Sequence, residues 1–207
     1  MAKAPRPGAV KTRLGRDIGM VGAAWWYRWQ LDRLIRRVGR DPRWRTVLAI
    51  SPDRARFDCR PWPRRLHRIP QGRGDLGDRL TRVFRQAGPG PVVIVGGDIP
   101  GITAGQVEQA FRALGTHDAV LGPSDDGGYW AIGLRRTRSI PARFLKPVRW
   151  STPETHADTD RAMTRFWPGI RIALIDTLND VDTVDDLYAI KRQKPGKAIR
   201  AFPGTHP

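Results

Sequence analysis

The segment "PVVIVGGDIPG", residues 91–101, contains the pattern on which the predicted fold depends. Four apolar, β-branched residues in succession, 92–95, are typical of a strand that is buried on both faces of a sheet. Gly97 and Asp98 follow the strand directly, and Pro100 restricts the residue before it to extended backbone. Because ligands of open α/β sheets bind beyond the carboxyl ends of the strands, we predict that Asp98 is presented to a ligand there.

A carboxylate in this position suits a divalent cation, and helix capping is the alternative role for Asp98. Thr103 precedes the next predicted helix and can serve as its cap, so we favour the metal role for Asp98. One carboxylate holds a hard cation weakly, so a second acid is expected elsewhere in the chain.

Strands and helices alternate along the rest of the chain, which predicts an α/β fold with a mixed, mostly parallel sheet flanked by helices. The segment 122–134, "GPSDDGGYWAIGL", indicates an antiparallel hairpin within it. The predicted strands are 45–51, a short strand within 66–72, 92–96, 118–123, 128–134 and 170–175. The predicted helices are 17–38, 75–87, 103–114, 153–166 and 183–193, the first capped by Asp17 and ended by Gly39.

Length and composition predict one domain over residues 1–193, followed by a loose basic tail, 194–207. The mean hydropathy is −0.48, and no apolar run approaches the ~18 residues that a membrane span needs. One cysteine, Cys59, excludes an internal disulfide and fits a reducing compartment. With no secretory signal in the sequence, we expect a cytoplasmic protein.

The chain carries 37 basic and 20 acidic residues, a net charge of +17, so nucleic acid is one candidate partner. The arginines are spread through the whole sequence, which favours a solvated surface over a nucleic-acid face. Trp25, Trp26 and Trp29 lie close to helical spacing. We interpret them as core or as the face of a homodimer rather than as a base-stacking surface.

Residues 3–17, "KAPRPGAVKTRLGRD", combine fixed backbone with several cations, which suits the binding of a diphosphate. A flexible basic arm is the alternative. The residues that would serve the phosphates are Lys3, Arg6, Gly8, Lys11 and Arg13. The loop lacks the terminal Gly-Lys-Ser/Thr of a Walker A sequence.

The second acid is expected in "LNDVDTVDDL", residues 178–187. Asp180 and Asp182 follow the last predicted strand at the edge of the sheet where Asp98 lies. Thr183 and Asp186 have the spacing of a capping box, which explains the acid at 186 structurally.

Two further loops are richer in glycine and aspartate than a turn requires. In "QGRGDLGDRL", residues 71–80, Asp75 is placed as a helix cap, while Gly74 and its neighbouring glycines permit close contact with a ligand. In the predicted hairpin, turn chemistry explains one Asp-Gly pair but not two. The residues concerned are Asp125, Asp126, Gly127 and Gly128.

Taken in order, "KAPRPGAVKTRL", "QGRGDLGDRL", "GGDIPGIT", "GPSDDGGYWAIGL", "WST" and "DVDTVDDL" resemble the bacterial DUF2064 family. This family is often labelled as glycosyltransferases and is a branch of the nucleotide-diphospho-sugar transferase, or GT-A, superfamily. The superfamily also contains the molybdenum-cofactor and 2-phospholactate guanylyltransferases. The resemblance covers nearly the whole chain to about Lys191.

The resemblance implies a Rossmann-like domain whose N-terminal loop, with Gly97, holds the phosphates of a nucleotide. It implies that Asp98 and Asp182 bind Mg²⁺ or Mn²⁺, Asp98 as a reduced form of the Asp-x-Asp motif. Asp125 and Asp126 would act as general base or bind acceptor hydroxyls, with the glycines after them on the substrate side. Family members usually begin with an apolar strand before the basic loop, whereas only Met1 and Ala2 precede Lys3. We expect a truncated first strand, with the true start upstream of Met1.

Three functions follow from these features. The first is metal-dependent transfer of a sugar from a nucleoside diphosphate-sugar to an unknown small acceptor. The second is nucleotidyl transfer from an NTP to a small phosphorylated acceptor, with the cation acting at the α-phosphate. The third, from the charge, is nucleic-acid binding that weakens steeply with salt.

Overall fold

The computed structural model describes residues 1–58 and 60–192. Cys59 and the predicted tail 194–207 lie outside the described residues. The strands are β1 Ala2–Lys3, β2 Val47–Ser51, β3 His67–Pro70, β4 Val92–Val95, β5 Ala119–Pro123, β6 Tyr129–Leu134 and β7 Ile172–Leu174. The helices are α1 Thr12–Ile18, α2 Met20–Val38, α3 Leu76–Gln86, α4 Ala104–Ala113, α5 Thr155–Phe166 and α6 Val184–Arg192, and Asp53–Phe57 form a 3₁₀ turn. Within these described ranges, no helix is both long and apolar enough to cross a membrane.

The strands form two sheets, which confirms the mixed α/β prediction. In the first, β1, β2 and β3 pair in parallel in that order. In the second, the order is β4-β6-β5-β7, with β6 antiparallel to both neighbours and β5 parallel to β7. The Met1 amine donates a hydrogen bond of 2.5 Å to the Val95 carbonyl, which brings β1 beside the end of β4. The amino end of β1 therefore lies beside the carboxyl end of β4, and Lys3 and Val95 line the same cavity.

The burial of β4 differs from the prediction. Only Ile94 is buried, while Val92, Val93 and Val95 are partly exposed. Ile94 and Val95 line an open cavity, so this strand is covered less completely than its β-branched run suggested.

The predicted helix 17–38 is two helices, because Gly19 adopts φ +81° and ends α1. Asp17 therefore lies inside α1 instead of capping α2, and its carboxylate accepts a long hydrogen bond of 3.4 Å from the Val184 amide. The end of α2 at Gly39 is as predicted. Of its tryptophans only Trp26 is buried, at 2% exposure.

The capping predictions made from local spacing are confirmed for three helices. At the start of α6, the Thr183 amide donates to the Asp186 carboxylate and the Asp186 amide donates to the Thr183 hydroxyl. Asp75 accepts a hydrogen bond from the Asp78 amide and starts α3, and Thr103 accepts one from Gln106 and starts α4. Because Thr103 caps α4, Asp98 is not needed as a cap and remains at the end of β4.

Helices cover the sheets and position the residues around the cavity. The side of α2 that faces the first sheet is buried together with α1, in a hydrophobic cluster that includes Trp26, Leu31 and Ile50. Tyr27 lies on this buried side of α2, and its side chain lines the cavity. The second sheet packs through Ile132 and Leu134 against Phe84 of α3.

Candidate functional site

A cavity of about 470 Å³ opens at the carboxyl ends of β1 and β4. Its wall includes the N-terminal basic loop, the turn after β4 and the segment before α6. The polar and charged residues along it are Lys3, Lys11, Thr12, Arg13, Tyr27, Gln71, Arg79, Asp98, Tyr129, Ser151, Asp180 and Asp182. The structure therefore brings together three segments that are far apart in the sequence.

Three carboxylates converge on one ammonium in this cavity. The Lys11 Nζ lies 3.0 Å from the Asp98 Oδ2, 2.8 Å from the Asp180 Oδ2 and 2.7 Å from the Asp182 Oδ1. The Lys11 side chain is only 5% exposed, whereas the three carboxylates are each about one-third exposed, at 35–37%. The Arg13 Nη1 lies 3.1 Å from the Asp182 Oδ2 on the open side. Three negative charges thus face two positive ones, and the acids stay accessible.

The pKa values of these groups reflect the balance of burial and charge. Burial opposes the charge of Lys11, but the carboxylates of Asp98 and Asp180 outweigh it and raise the pKa of the ammonium. Burial raises the pKa of Asp180 despite the neighbouring ammonium. Burial acts in the same direction on Asp182, but the hydrogen bond from Lys11 outweighs it and lowers the pKa of this carboxyl.

Two residues of the cavity wall have strained backbone. Lys11 has φ +45° and Ser151 has φ +60°, a left-handed conformation that residues with a side chain adopt rarely. Such conformations persist only where the surrounding structure fixes them, and they cluster at functional sites. Here the strained backbone at residue 11 begins α1 and directs the ammonium towards the acids.

The turn after β4 packs closely against β1 and α2. A Cβ atom on Gly97 would lie 3.0 Å from the Met1 carbonyl oxygen and 3.2 Å from the Tyr27 hydroxyl, so a larger residue would push the turn outward. The Tyr27 hydroxyl accepts a hydrogen bond of 2.9 Å from the Lys3 amide. Burial and the nearby charge of Asp98 raise the pKa of Tyr27, so its phenol stays protonated.

Gln71 is a buried residue of the cavity wall that connects two strands of the first sheet. Its side chain is 3% exposed, and its Nε2 donates to the carbonyls of Ala2, at 2.9 Å, and Ala49, at 2.8 Å. The side-chain amide of Gln71 thereby links β1 to β2. Gln71, Tyr27, Arg79 and Ser151 were not singled out from the sequence, although Gln71 and Arg79 lie in the glycine-rich segment 71–80 and Ser151 lies in "WST".

The donor set suits a hard divalent cation, because three carboxylates offer oxygen ligands around one point. That point is taken by the Lys11 ammonium. Among the described residues, no group of three or more His, Cys, Asp or Glu side chains is arranged to hold a metal ion as it stands. A metal ion could use these carboxylates only if the ammonium moved away.

Three residues predicted to bind phosphate are not part of the cavity wall: Arg6 and Gly8 of the N-terminal loop, and Gly74 of the segment 71–80. The Arg6 guanidinium forms an exposed ion pair of 3.4 Å with Asp58. Gly8, at φ +73°, has no neighbour within 4 Å of a built Cβ and serves the turn of its own loop. Gly74, at φ +104°, lies under the Asp78 carboxylate and serves the start of α3. Neither these two glycines nor Arg6 is part of the cavity wall.

The Asp-Asp-Gly-Gly loop does not line the cavity either. The Asp125 amide donates to the Asn179 Oδ1 at 2.9 Å, and the Asn179 Nδ2 donates back to the Asp125 Oδ2 at 2.5 Å. The Asp126 Oδ1 accepts from the Gly128 amide at 3.0 Å, which is ordinary turn chemistry. Gly127 packs on Pro153, where a Cβ would lie 2.3 Å from its Cα. The loop thus holds the segment that carries Asp180 and Asp182, rather than presenting its own acids to the cavity.

The fold is similar to that of a candidate nucleotide-diphospho-sugar transferase from Desulfovibrio desulfuricans G20, solved by crystallography. The two chains are 30% identical and superimpose with a TM-score of 0.81 over 96% of this chain and 87% of that one. The homolog of Mycobacterium tuberculosis rv0371c from Mycobacterium sp. strain JC1 is more distant, with 17% identity and a TM-score of 0.46 over 79% of this chain and 80% of that chain.

Among curated proteins, none matches this chain in sequence. One sequence family does match, described as "Uncharacterized protein conserved in bacteria (DUF2064)", over residues 34–152. These residues are more than half of the chain, and they include β2 to β6 and Asp98. This chain therefore belongs to the DUF2064 family.

Proposed function

We propose that this protein transfers a glycosyl group from a nucleoside diphosphate-sugar, with the diphosphate held in the cavity. The observation that carries the proposal is the convergence of Asp98, Asp180 and Asp182 on Lys11 at the carboxyl ends of the strands. The similarity to the candidate nucleotide-diphospho-sugar transferase supports it. The acceptor in this proposal is a small molecule.

The cations of the N-terminal loop serve the phosphates in this proposal. Lys3, Lys11 and Arg13 all line the cavity. The Arg13 side chain is 71% exposed, so its guanidinium could turn from Asp182 towards a ligand. Cations fixed beside the diphosphate stabilise the negative charge that develops on the leaving group as the sugar departs. Arg79 of α3 provides a further guanidinium in the cavity wall.

Asp98 and Asp182, with Asp180, would hold Mg²⁺ or Mn²⁺. Such an ion would supply positive charge that neutralises the diphosphate. Lys11 pairs with all three carboxylates. If these acids held a cation instead, the Lys11 ammonium would be available to pair with a phosphate oxygen.

Asp125 acts as a positioning residue in this proposal, and not as the general base. Its two hydrogen bonds with Asn179 fix the residue that directly precedes Asp180. A second tie, from the Leu178 amide to the Pro123 carbonyl at 3.1 Å, holds the same segment. Loss of the Asp125 side chain should therefore weaken metal binding by displacing Asp180, without removing a ligand.

The test is to incubate the protein with a panel of nucleoside diphosphate-sugars, with and without Mn²⁺, and to measure release of the nucleoside diphosphate. A thermal-shift screen selects the donor first, since a ligand at a hundred times its Kd stabilises a protein by ~2.7 kcal/mol. We expect stabilisation by one class of nucleotide sugar and release of its diphosphate. Release of inorganic diphosphate from an NTP, with no turnover of any nucleotide sugar, would contradict sugar transfer.

A further inference from the structure

The outward face of α2 carries a row of exposed apolar side chains. Val21, Trp25 and Trp29 follow one another at intervals of four residues and are 61%, 63% and 42% exposed. Residues four apart lie one above the other on a helix, so these side chains form one continuous strip. We refer to Val21, Trp25 and Trp29 as the tryptophan strip.

Arginines flank the tryptophan strip. The Arg28 guanidinium carbon lies 5.8 Å from the ring centre of Trp25, and that of Arg33 lies 4.7 Å from the ring centre of Trp29. These contacts keep the cations beside the rings rather than over the rest of the surface. Arg36 continues the face one turn further and pairs with Asp32 at 2.8 Å. The face thus combines large apolar side chains with an excess of positive charge.

We propose that the tryptophan strip and its arginines dock the protein onto the surface of an anionic lipid bilayer. Tryptophan is favoured at the boundary between lipid headgroups and acyl chains, where its ring is apolar and its N–H stays hydrated. Arginines beside it pair with anionic headgroups, and amphipathic helices with this composition lie in the plane of the membrane surface. The net charge of +17 attracts the whole protein to the same surface.

Charge and shape argue against two other binding partners for the tryptophan strip, a second copy of this chain and nucleic acid. A second copy of this chain would bring Arg28 and Arg33 of each molecule near those of the other, with Asp32 already paired to Arg36. Nucleic acid would use the tryptophans and arginines but offers nothing to the aliphatic side chain of Val21, which is 61% exposed. A lipid surface accommodates all of these groups.

Docking through this strip leaves the cavity accessible. Trp25 and Tyr27 are two residues apart, about 200° around the helix. Tyr27 lines the cavity, so the strip lies on the side of α2 that faces away from it. The proposal is therefore independent of what the cavity binds.

The experiment measures binding of the whole protein to vesicles by flotation at physiological ionic strength. We compare phosphatidylcholine vesicles with vesicles that also contain phosphatidylglycerol, and expect binding to the second kind. Replacing Trp25 and Trp29 together by alanine should lower the partition coefficient at least about tenfold, because two large aromatic rings no longer enter the interface. Replacing Arg28 and Arg33 by glutamine should lower it about tenfold for anionic vesicles and leave neutral vesicles unaffected.

A matched control is available at Phe57, which is 73% exposed and has the Arg56 guanidinium 4.1 Å from its ring centre. Phe57→Ala removes an exposed aromatic side chain beside an arginine on a different surface and should leave vesicle binding unchanged. Quenching of tryptophan fluorescence by brominated lipid should occur in the wild type and fall in the Trp25 and Trp29 variant.

Three results would overturn the proposal. One is equal binding of the wild type to anionic and neutral vesicles, or none to either. Another is a loss in the Phe57 variant as large as in the tryptophan variant. The third is a wild-type dimer that dissociates when the tryptophans are replaced, which would assign the strip to a second copy. Measuring thermal unfolding of each variant ensures that a lost fold is not mistaken for lost binding.

Discussion

Lys11→Met should strengthen the binding of a divalent cation in the absence of nucleotide and weaken the binding of a nucleoside diphosphate. The ammonium competes with the metal for the same three carboxylates, so its removal frees them and increases their mutual repulsion. Methionine has a similar length and suits a position that is only 5% exposed. The two opposite changes from one substitution distinguish this arrangement from a simple loss of structure.

The size of the effect follows from the contacts of the ammonium. Three ion pairs of 2.7–3.0 Å would each be worth about 6 kcal/mol at an effective dielectric constant of 20. The carboxylates are about one-third exposed, so we discount this to the ~0.2–1 kcal/mol of pairs at a protein surface. Three such pairs give about 2 kcal/mol, and 1.4 kcal/mol corresponds to a factor of ten, so the affinity for Mn²⁺ should rise roughly 30-fold.

The assay is calorimetric titration of the protein with Mn²⁺, repeated with a nucleoside diphosphate at saturating Mn²⁺. Lys3→Met is the matched control, because Lys3 lines the same cavity without contacting the three acids. This control should leave the Mn²⁺ affinity unchanged. An unchanged or weaker Mn²⁺ affinity in Lys11→Met, with its fold intact, would refute the competition between ammonium and metal.

Three further substitutions test the framework of the site. Gln71→Leu removes the two hydrogen bonds from its side chain to the Ala2 and Ala49 carbonyls and should lower the free energy of unfolding by ~1–3 kcal/mol in urea denaturation. Gly127→Ala should lower the Tm, because its Cβ would lie 2.3 Å from the Pro153 Cα at a φ of +83°. Hydrogen bonds from Arg149 lower the pKa of Asp158, so its stabilising contribution is present above the ordinary carboxyl pKa of about 3.9 and is lost as the pH falls below it. Asp158→Asn should therefore lower the Tm at neutral pH. As the pH is lowered, the Tm of this variant should fall less than that of the wild type, as measured by thermal unfolding across that range.

The features that could be predicted from the sequence are those that depend on residues close together in the chain, such as helix caps. Asp75 and Thr103 begin their helices as expected, because a capping residue and its partner are only three positions apart. Asp98 and Asp182 could be placed together because each follows a strand, and β4 and β7 run in the same direction, so their carboxyl ends lie on the same side of the sheet. The element types followed from the same local periodicity.

Contacts between side chains distant in sequence could not be predicted in this way. Nothing in the pattern around Lys11 indicates that its ammonium lies among acids 87 to 171 positions further on. Tyr27 belongs to a helix whose apolar stripe is indistinguishable from ordinary core. The exposure of Trp25 and Trp29 beside buried Trp26 depends on which face of α2 meets the sheet, which the spacing of three tryptophans does not determine. The hydrogen bonds between Asp125 and Asn179, 54 positions apart, could not be predicted either.

The most direct test of the site is calorimetric titration of the wild type and of Asp98→Asn with a nucleoside diphosphate, with and without Mn²⁺. Asparagine keeps the shape of the side chain and removes its charge, and position 98 is 37% exposed, so the fold should be retained. We predict Mn²⁺-dependent binding to the wild type and a loss of at least about a hundredfold in the variant, as expected when a charged metal ligand is removed. Equal affinity of the two proteins in the presence of Mn²⁺ would contradict the role of the three acids.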